Sequence, residues 1–164
     1  MSKVIKLHNY IYKYSTTAII IIGIVVLVSY LFGIRPYCVK TGSMGEAIPK
    51  GSLCFVNRCS QYENVLPGEI IAFNTGDNMR VTHRAVEVSE KGIITRGDCN
   101  NVNDPELVTK EAYIGRTIFC IPHLGHFVEW MHTKAGLAFI ALVVLLIQIS
   151  GVVYNKTSCK KEGV

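Results

Sequence analysis

Charge is scarce in this chain, and it is missing in long runs. Asp, Glu, Lys and Arg make up 18% of the residues against 49% hydrophobic ones, an apolar balance for a soluble domain. Residues 17–34 and 135–154 carry no charged side chain at all. No basic patch with interleaved aromatics occurs, so the formal net charge of +5 does not point to nucleic acid. There is no Cys-x-x-Cys spacing and no His/Cys cluster of the zinc type, and neither a metal nor a cofactor is expected. No internal repeat, low-complexity segment or amphipathic helical stretch lies between the two apolar runs, which argues against a helical bundle there.

What is present is membrane-like at both ends. At about 1.5 Å per helical residue, 17–34 spans about 27 Å, close to the thickness of a hydrocarbon core. The run 135–154 is a little longer. A cleaved leader would share the basic start of the first run. That run is long for a leader, however, and its exit (Ser29-Tyr30-Leu31-Phe32-Gly33-Ile34-Arg35-Pro36) is not a small-x-small cleavage site. An uncleaved anchor is expected. A buried core helix in the second run would show amphipathic spacing, and none is seen.

Lys3, Lys6 and Lys13 precede the first run, and Lys156, Lys160 and Lys161 follow the second. The bias of basic residues places both tails in the cytoplasm and the middle outside. Arg35 and Lys40 lie on the outer side, but long loops cross largely regardless of charge. The expected organisation is a cytoplasmic tail over 1–16, a transmembrane helix over 17–34, an extracytoplasmic domain over 35–134, a second transmembrane helix over 135–154 and a cytoplasmic tail over 155–164. That is a multi-pass protein of the cell membrane.

Cys159 falls in the inner tail, and Cys38, Cys54, Cys59, Cys99 and Cys120 fall outside. Five is an odd number, so they cannot all pair within one chain. They are expected as small apolar residues left reduced.

The middle segment, about a hundred residues, is long enough for a small core. Pro36 ends the first helix, because proline cannot continue it and biases Arg35 away from helical angles. Short strands are expected at 53–56, 70–73, 81–88, 93–96 and 113–121, with turns at Leu66-Pro67-Gly68-Glu69, 74–78 and Ser89-Glu90-Lys91-Gly92. Several short strands at close spacing argue an all-β domain. Leu53 and Phe55 are candidates for apolar side chains that dip into the bilayer. Residues 123–131, apolar with histidines and Trp130, are expected at the membrane interface.

Ser43 lies in Thr41-Gly42-Ser43-Met44, a stretch that begins about seven residues beyond the first apolar run. Taken alone, Gly beside Ser means a turn. A serine hydroxyl is a poor nucleophile at neutral pH and needs a base within hydrogen-bond reach. Histidine suits that work, because as a residue type it changes charge near neutrality. His83 lies mid-strand between Thr82 and Arg84, where a histidine is more commonly packed or solvated. The base in turn needs a partner to hold its tautomer. The loop from Arg96 to Pro105 offers two carboxylates, Asp98 and Asp104. It lacks the spaced acidic ligands and closing Glu of an EF-hand. By spacing alone a Ser/His/Asp site is one reading among others.

The motifs add a resemblance. Thr41-Gly42-Ser43-Met44 is followed by Ile48-Pro49-Lys50-Gly51-Ser52, Gly68-Glu69-Ile70-Ile71-Ala72-Phe73 and Thr82-His83-Arg84-Ala85-Val86. Next come Thr95-Arg96-Gly97-Asp98-Cys99-Asn100-Asn101, Asp104-Pro105, Ile114-Gly115-Arg116 and Ile121-Pro122-His123-Leu124-Gly125. Over roughly residues 38–127 this resembles, in order and spacing, the type I signal peptidases. Histidine at the base position resembles the endoplasmic-reticulum-type branch found in archaea, eukaryotes and some Gram-positive bacteria. The usual bacterial enzymes carry a lysine there. Two spans on a short chain look like the version of spore-forming Firmicutes.

The resemblance implies a mainly β extracytoplasmic catalytic domain with two flanking transmembrane helices. It implies a serine-type endopeptidase that removes signal peptides from exported precursors. Ser43 would be the nucleophile and His83 the general base. Asp104 is the preferred partner of His83, with Asp98 structural or supporting. The backbone N–H of Ser43 and the hydroxyl of Thr41 would form the oxyanion hole. Implied partners are signal peptides, the lipid bilayer and the protein-translocation machinery.

One departure stands out. The family pattern is Ser-Met-x-Pro, whereas this chain reads Ser43-Met44-Gly45-Glu46. Without the proline, and with a glycine beside it, the loop is free to be looser or differently shaped. Two other readings remain. One is a catalytically inactive membrane-anchored β-domain that binds signal peptides or partner proteins. The other is self-cleavage, as in the related repressor-type peptidases, which use a lysine base and lack paired spans.

Overall fold

The computed structural model describes residues 2–77 and 79–159. Lys160 and Lys161 of the expected inner tail, and Asn78 of the expected 74–78 turn, lie outside them. Helix α1 (Ser2–Leu31) leads into strand β1 (Ile34–Cys38). Strands β2 (Leu53–Asn57), β3 (Ile70–Asn74), β4 (Arg80–Ser89), β5 (Gly92–Arg96) and β6 (Tyr113–Ile121) follow, with a short 3-10 turn at Tyr62–Asn64. Helices α2 (Leu124–Met131) and α3 (Lys134–Cys159) close the chain. The strands form one antiparallel sheet in the order β1-β2-β6-β3-β4-β5.

The first helix ends three residues before the expected boundary at 34. Gly33 takes φ +75, and its N–H bonds to the carbonyl of Tyr30 at 3.2 Å, a left-handed helix stop that glycine accepts without strain. The chain then enters β1, a strand that the Pro36 signal conceals. Proline lacks a ladder donor and is tolerated in an edge strand, and β1 is the edge, paired only with β2. The other five strands fall within a residue of their expected places.

Two apolar clusters hold the sheet. Val65, Ile71, Phe73, Ala85, Ile93 and Val108 form the larger. Met44, Ile48 and Cys54 form the smaller, with Val39, Ile70 and Cys120 against it. Leu53, expected to dip into the bilayer, is buried instead. Phe55 is half-buried and stacks on Phe119 at 4.5 Å between ring centroids.

The expectation of reduced cysteines is corrected at one pair. Cys54 and Cys120 form a disulfide across β2 and β6. The sheet pairs these two residues directly opposite one another, and their Cα atoms are 4.0 Å apart, within bridging reach. Cys38, Cys59 and Cys99 are free thiols.

Among the described residues one helical stretch, Lys13–Leu31, is long and apolar enough by itself to cross a membrane, and none of it is buried inside the protein. The second expected span lies in α3, which meets α2 at an angle of 82°.

Candidate active site

Ser43 lies in the turn between β1 and β2. The carbonyl of Gly42 accepts the N–H of Gly45 at 2.9 Å, and that of Met44 accepts the N–H of Ala47 at 3.2 Å. Met44 and Ile48 are 1% exposed, and burying side chains of this size stabilises by roughly 1.5–3 kcal/mol each. They therefore anchor the turn on both sides of Gly45. Gly45 itself takes φ +54, a conformation that favours glycine. The segment that lacks the family's proline is thus closed turn by turn rather than loose.

His83 comes from β4, opposite Ile71 of β3. It is 7% exposed, with Phe73 edge-on to its ring at 6.3 Å. Its Nε2 stands 2.8 Å from Ser43 Oγ, and its Nδ1 stands 2.7 Å from Asp104 Oδ2. An N–H at Nδ1 donated to the carboxylate leaves Nε2 free to accept the serine proton. Asp104 is held by two further bonds. The hydroxyl of Thr95 donates to the same Oδ2 at 2.6 Å, and the Asp104 N–H donates to the Thr95 carbonyl at 2.8 Å. Thr95 is wholly buried. Nothing in its sequence context, a threonine in a short apolar strand, sets it apart.

Asp98 is not joined to His83 in this way. Arg84 Nε donates to one of its oxygens at 2.9 Å and Nη2 to the other at 2.6 Å, while Nη1 reaches the carbonyl of Gly68 at 2.8 Å. The hydrogen bond from Arg84 holds the Asp98 carboxyl below its ordinary value against the opposing pull of partial burial. The same bond raises Arg84 further. This clamp fixes the start of the 97–105 loop, where the Cys99 N–H donates to the Ser43 carbonyl at 2.8 Å. Gly97 is required by close approach. A Cβ there would lie 2.6 Å from the Ser43 carbonyl oxygen and 3.0 Å from His83 Nε2.

The Thr41 hydroxyl is exposed and lies 3.3 Å from Ser43 Oγ. Ser43, His83, Asp104 and Thr41 are therefore brought together, and Asp98 stands one ion pair away. Among the described residues no three His, Cys, Asp or Glu side chains gather as metal ligands would. The arrangement as a whole offers a hydroxyl, a base that can take its proton, and a half-buried carboxylate behind the base. Those are the parts of acyl-transfer chemistry.

No family model matches the chain. Curated relatives do. The signal peptidase complex catalytic subunit SEC11 of Colletotrichum graminicola is 31% identical over 126 residues, covering 66% of this chain and 73% of the relative. Its counterpart from Sclerotinia sclerotiorum is 30% identical over the same coverage. Signal peptidase I W of Bacillus subtilis is 30% identical over 114 residues, covering 63% of this chain and 60% of the relative.

Proposed function

Because the chain belongs to the type I signal peptidase family, we propose that it is a membrane-bound serine endopeptidase that cleaves signal peptides from exported precursor proteins. The observation that carries this reading is the relay from Ser43 Oγ through His83 to Asp104, with contacts of 2.8 and 2.7 Å. A site of this kind is defined by geometry and not by chain order.

The steps follow from the atoms. Ser43 Oγ attacks the carbonyl carbon of the scissile bond as His83 Nε2 takes its proton. Asp104 stabilises the imidazolium through Nδ1–H. The tetrahedral oxyanion is met by the backbone N–H of Ser43 and the Thr41 hydroxyl. Collapse expels the amine of the mature protein, which takes the proton from His83. Water then attacks the acyl-serine with His83 again as base, and this releases the signal peptide. Asp98 is a positioning residue that, through Arg84, holds the loop bearing Asp104 against the serine turn.

The base at His83 belongs to the Ser/His branch, with the two-span, short-chain form resembling that of spore-forming Firmicutes. The 17–34 and 135–154 runs are read as spans with both tails cytoplasmic and residues 35–134 outside. Anchoring of this kind suits a substrate that is itself a membrane-inserted apolar helix, since the search for it becomes two-dimensional.

The test is co-expression with a secreted precursor, scoring the processed form for the wild type and for the Ser43→Ala and His83→Ala chains. Loss of processing in both variants at unchanged protein level is the expected result. Unaltered processing in both would turn the reading toward a binding domain without catalysis.

A further inference from the structure

Helix α2 is packed against the base of the serine turn. Gly125 lies so close to the Gly51–Ser52 backbone that a Cβ on it would stand 2.6 Å from the Ser52 carbonyl oxygen. The His126 N–H donates to the Gly51 carbonyl at 3.2 Å, and the His126 ring covers Gly51, which takes φ +80. Glu129 meets Lys40 at 3.8 Å. The other side of this seam is the turn itself. Gly51 N–H bonds to the Val39 carbonyl at 2.8 Å and Val39 N–H to the Ser52 carbonyl at 2.9 Å. Val39 and Gly51 thus close the neck from which the Ser43 loop springs, and α2 sits on that neck.

The opposite side of α2 is aromatic and exposed. At about 100° per residue, Gly125 and Glu129 fall on one edge of a helix and Phe127 and Trp130 on the other. Phe127 is 53% exposed and Trp130 41%. They stack at 5.9 Å, and Trp130 also meets Phe139 of α3 at 5.7 Å. The elbow between the helices is set by short contacts. The Thr133 hydroxyl donates to the Trp130 carbonyl at 2.7 Å and accepts the Gly136 N–H at 3.1 Å. Gly136 leaves no room for a Cβ, which would lie 2.2 Å from the Trp130 carbonyl oxygen. The two helices therefore meet at 82°. If α3 crosses a bilayer, α2 lies nearly in the membrane plane, with aromatic rings of the kind that settle at headgroup level.

We propose that α2 is an interfacial positioning helix. Its Phe127–Trp130 edge, joined by Phe139, rests in the lipid headgroup region while its Gly125–Glu129 edge carries the neck of the Ser43 turn. The elbow thereby sets the height at which the nucleophile meets a membrane-inserted substrate. This rests on the proposed peptidase function and on α3 as a span.

The chain contains a single tryptophan, so Trp130 reports its own depth. The full chain is reconstituted in phosphatidylcholine–phosphatidylglycerol vesicles whose acyl chains are brominated either near the headgroup or near the terminal methyl. Quenching dominated by the shallow bromines is expected. A Trp130 quenched by neither set, or mainly by the deep set, overturns the placement. The second arm uses Phe127→Gln with Phe139→Gln, which keeps the fluorophore. Processing of a vesicle-embedded precursor should fall roughly tenfold or more, as expected when reacting groups are misplaced, while kcat/KM on a short soluble peptide holds. Equal loss on both substrates, or none on either, overturns the positioning role. A wild type inactive on both substrates would remove the proposed function, and the positioning role with it, but leave the quenching result standing.

Discussion

Asp104 Oδ2 lies 2.7 Å from His83 Nδ1, and the same oxygen accepts the Thr95 hydroxyl. The carboxylate is thereby fixed on the far side of the imidazole from Ser43. Replacing it with an amide removes the anion and permits the wrong tautomer. Asp104→Asn should lower the processing rate on the order of 10³–10⁴-fold, with Asp98→Asn costing far less. Rates on one precursor at matched enzyme levels decide this. Equal losses would mean that the two aspartates share the role.

Thr95 supports the relay from behind. Thr95→Val keeps the shape and removes the donor, leaving the half-buried Asp104 with one partner fewer. The lost charge-assisted bond corresponds to about 1.5–3 kcal/mol, which should appear as a lower Tm and a slower rate with KM little changed. Thr95→Ser should restore both. A Thr95→Val chain with wild-type kcat would remove Thr95 from the relay.

The Arg84–Asp98 pair predicts an acid-side dependence of stability. The hydrogen bond from Arg84 depresses the Asp98 carboxyl in the folded state. Its contribution is therefore fully present above the ordinary aspartate value, about 3.9, and is lost as pH falls through the lower folded value. The Tm gap between wild type and Asp98→Asn should be widest near neutrality and close at strongly acid pH. A gap that stays constant across that range would show that the pair contributes through packing alone. Part of the pair is exposed, so the gap should also narrow with added salt.

The Cys54–Cys120 bridge joins residues separated by 66 positions. Closing a loop of that size stabilises a domain by typically 2–4 kcal/mol. The Cys54→Ala, Cys120→Ala chain should melt clearly lower in detergent than the oxidised wild type, and about level with the reduced wild type. A double variant that melts with the oxidised protein would mean that packing in the small cluster, and not the covalent link, holds β2 to β6.

Several features were readable before folding because they depend on neighbours along the chain. The apolar run Ile70 to Phe73 and the imperfectly alternating Val81 to Val88 are bounded by turn residues, and local patterning places strands there. Edge strand β1 was hidden because Pro36 reads as a helix stop in any local rule. Only its position at the sheet margin makes it admissible. The disulfide was hidden for a related reason. Register across β2 and β6 sets Cys54 opposite Cys120, and register is not a local property.

By itself the sequence determined which chemical groups were available and roughly where the chain is apolar, extended or turned. Hydrophobic patterning and backbone sterics act over a few residues, and those survive in a string of letters. The sequence reading preferred Asp104 over Asp98 as the neighbour of His83, but only the tertiary structure places its carboxylate 2.7 Å from His83 Nδ1. Asp98 and Asp104 share one loop, six positions apart. The insertion of β6 between β2 and β3, the capture of Asp98 by Arg84 and the bond from Asp104 to Thr95 each join separate segments of the chain, and their free energy belongs to the assembled sheet rather than to any one segment of it.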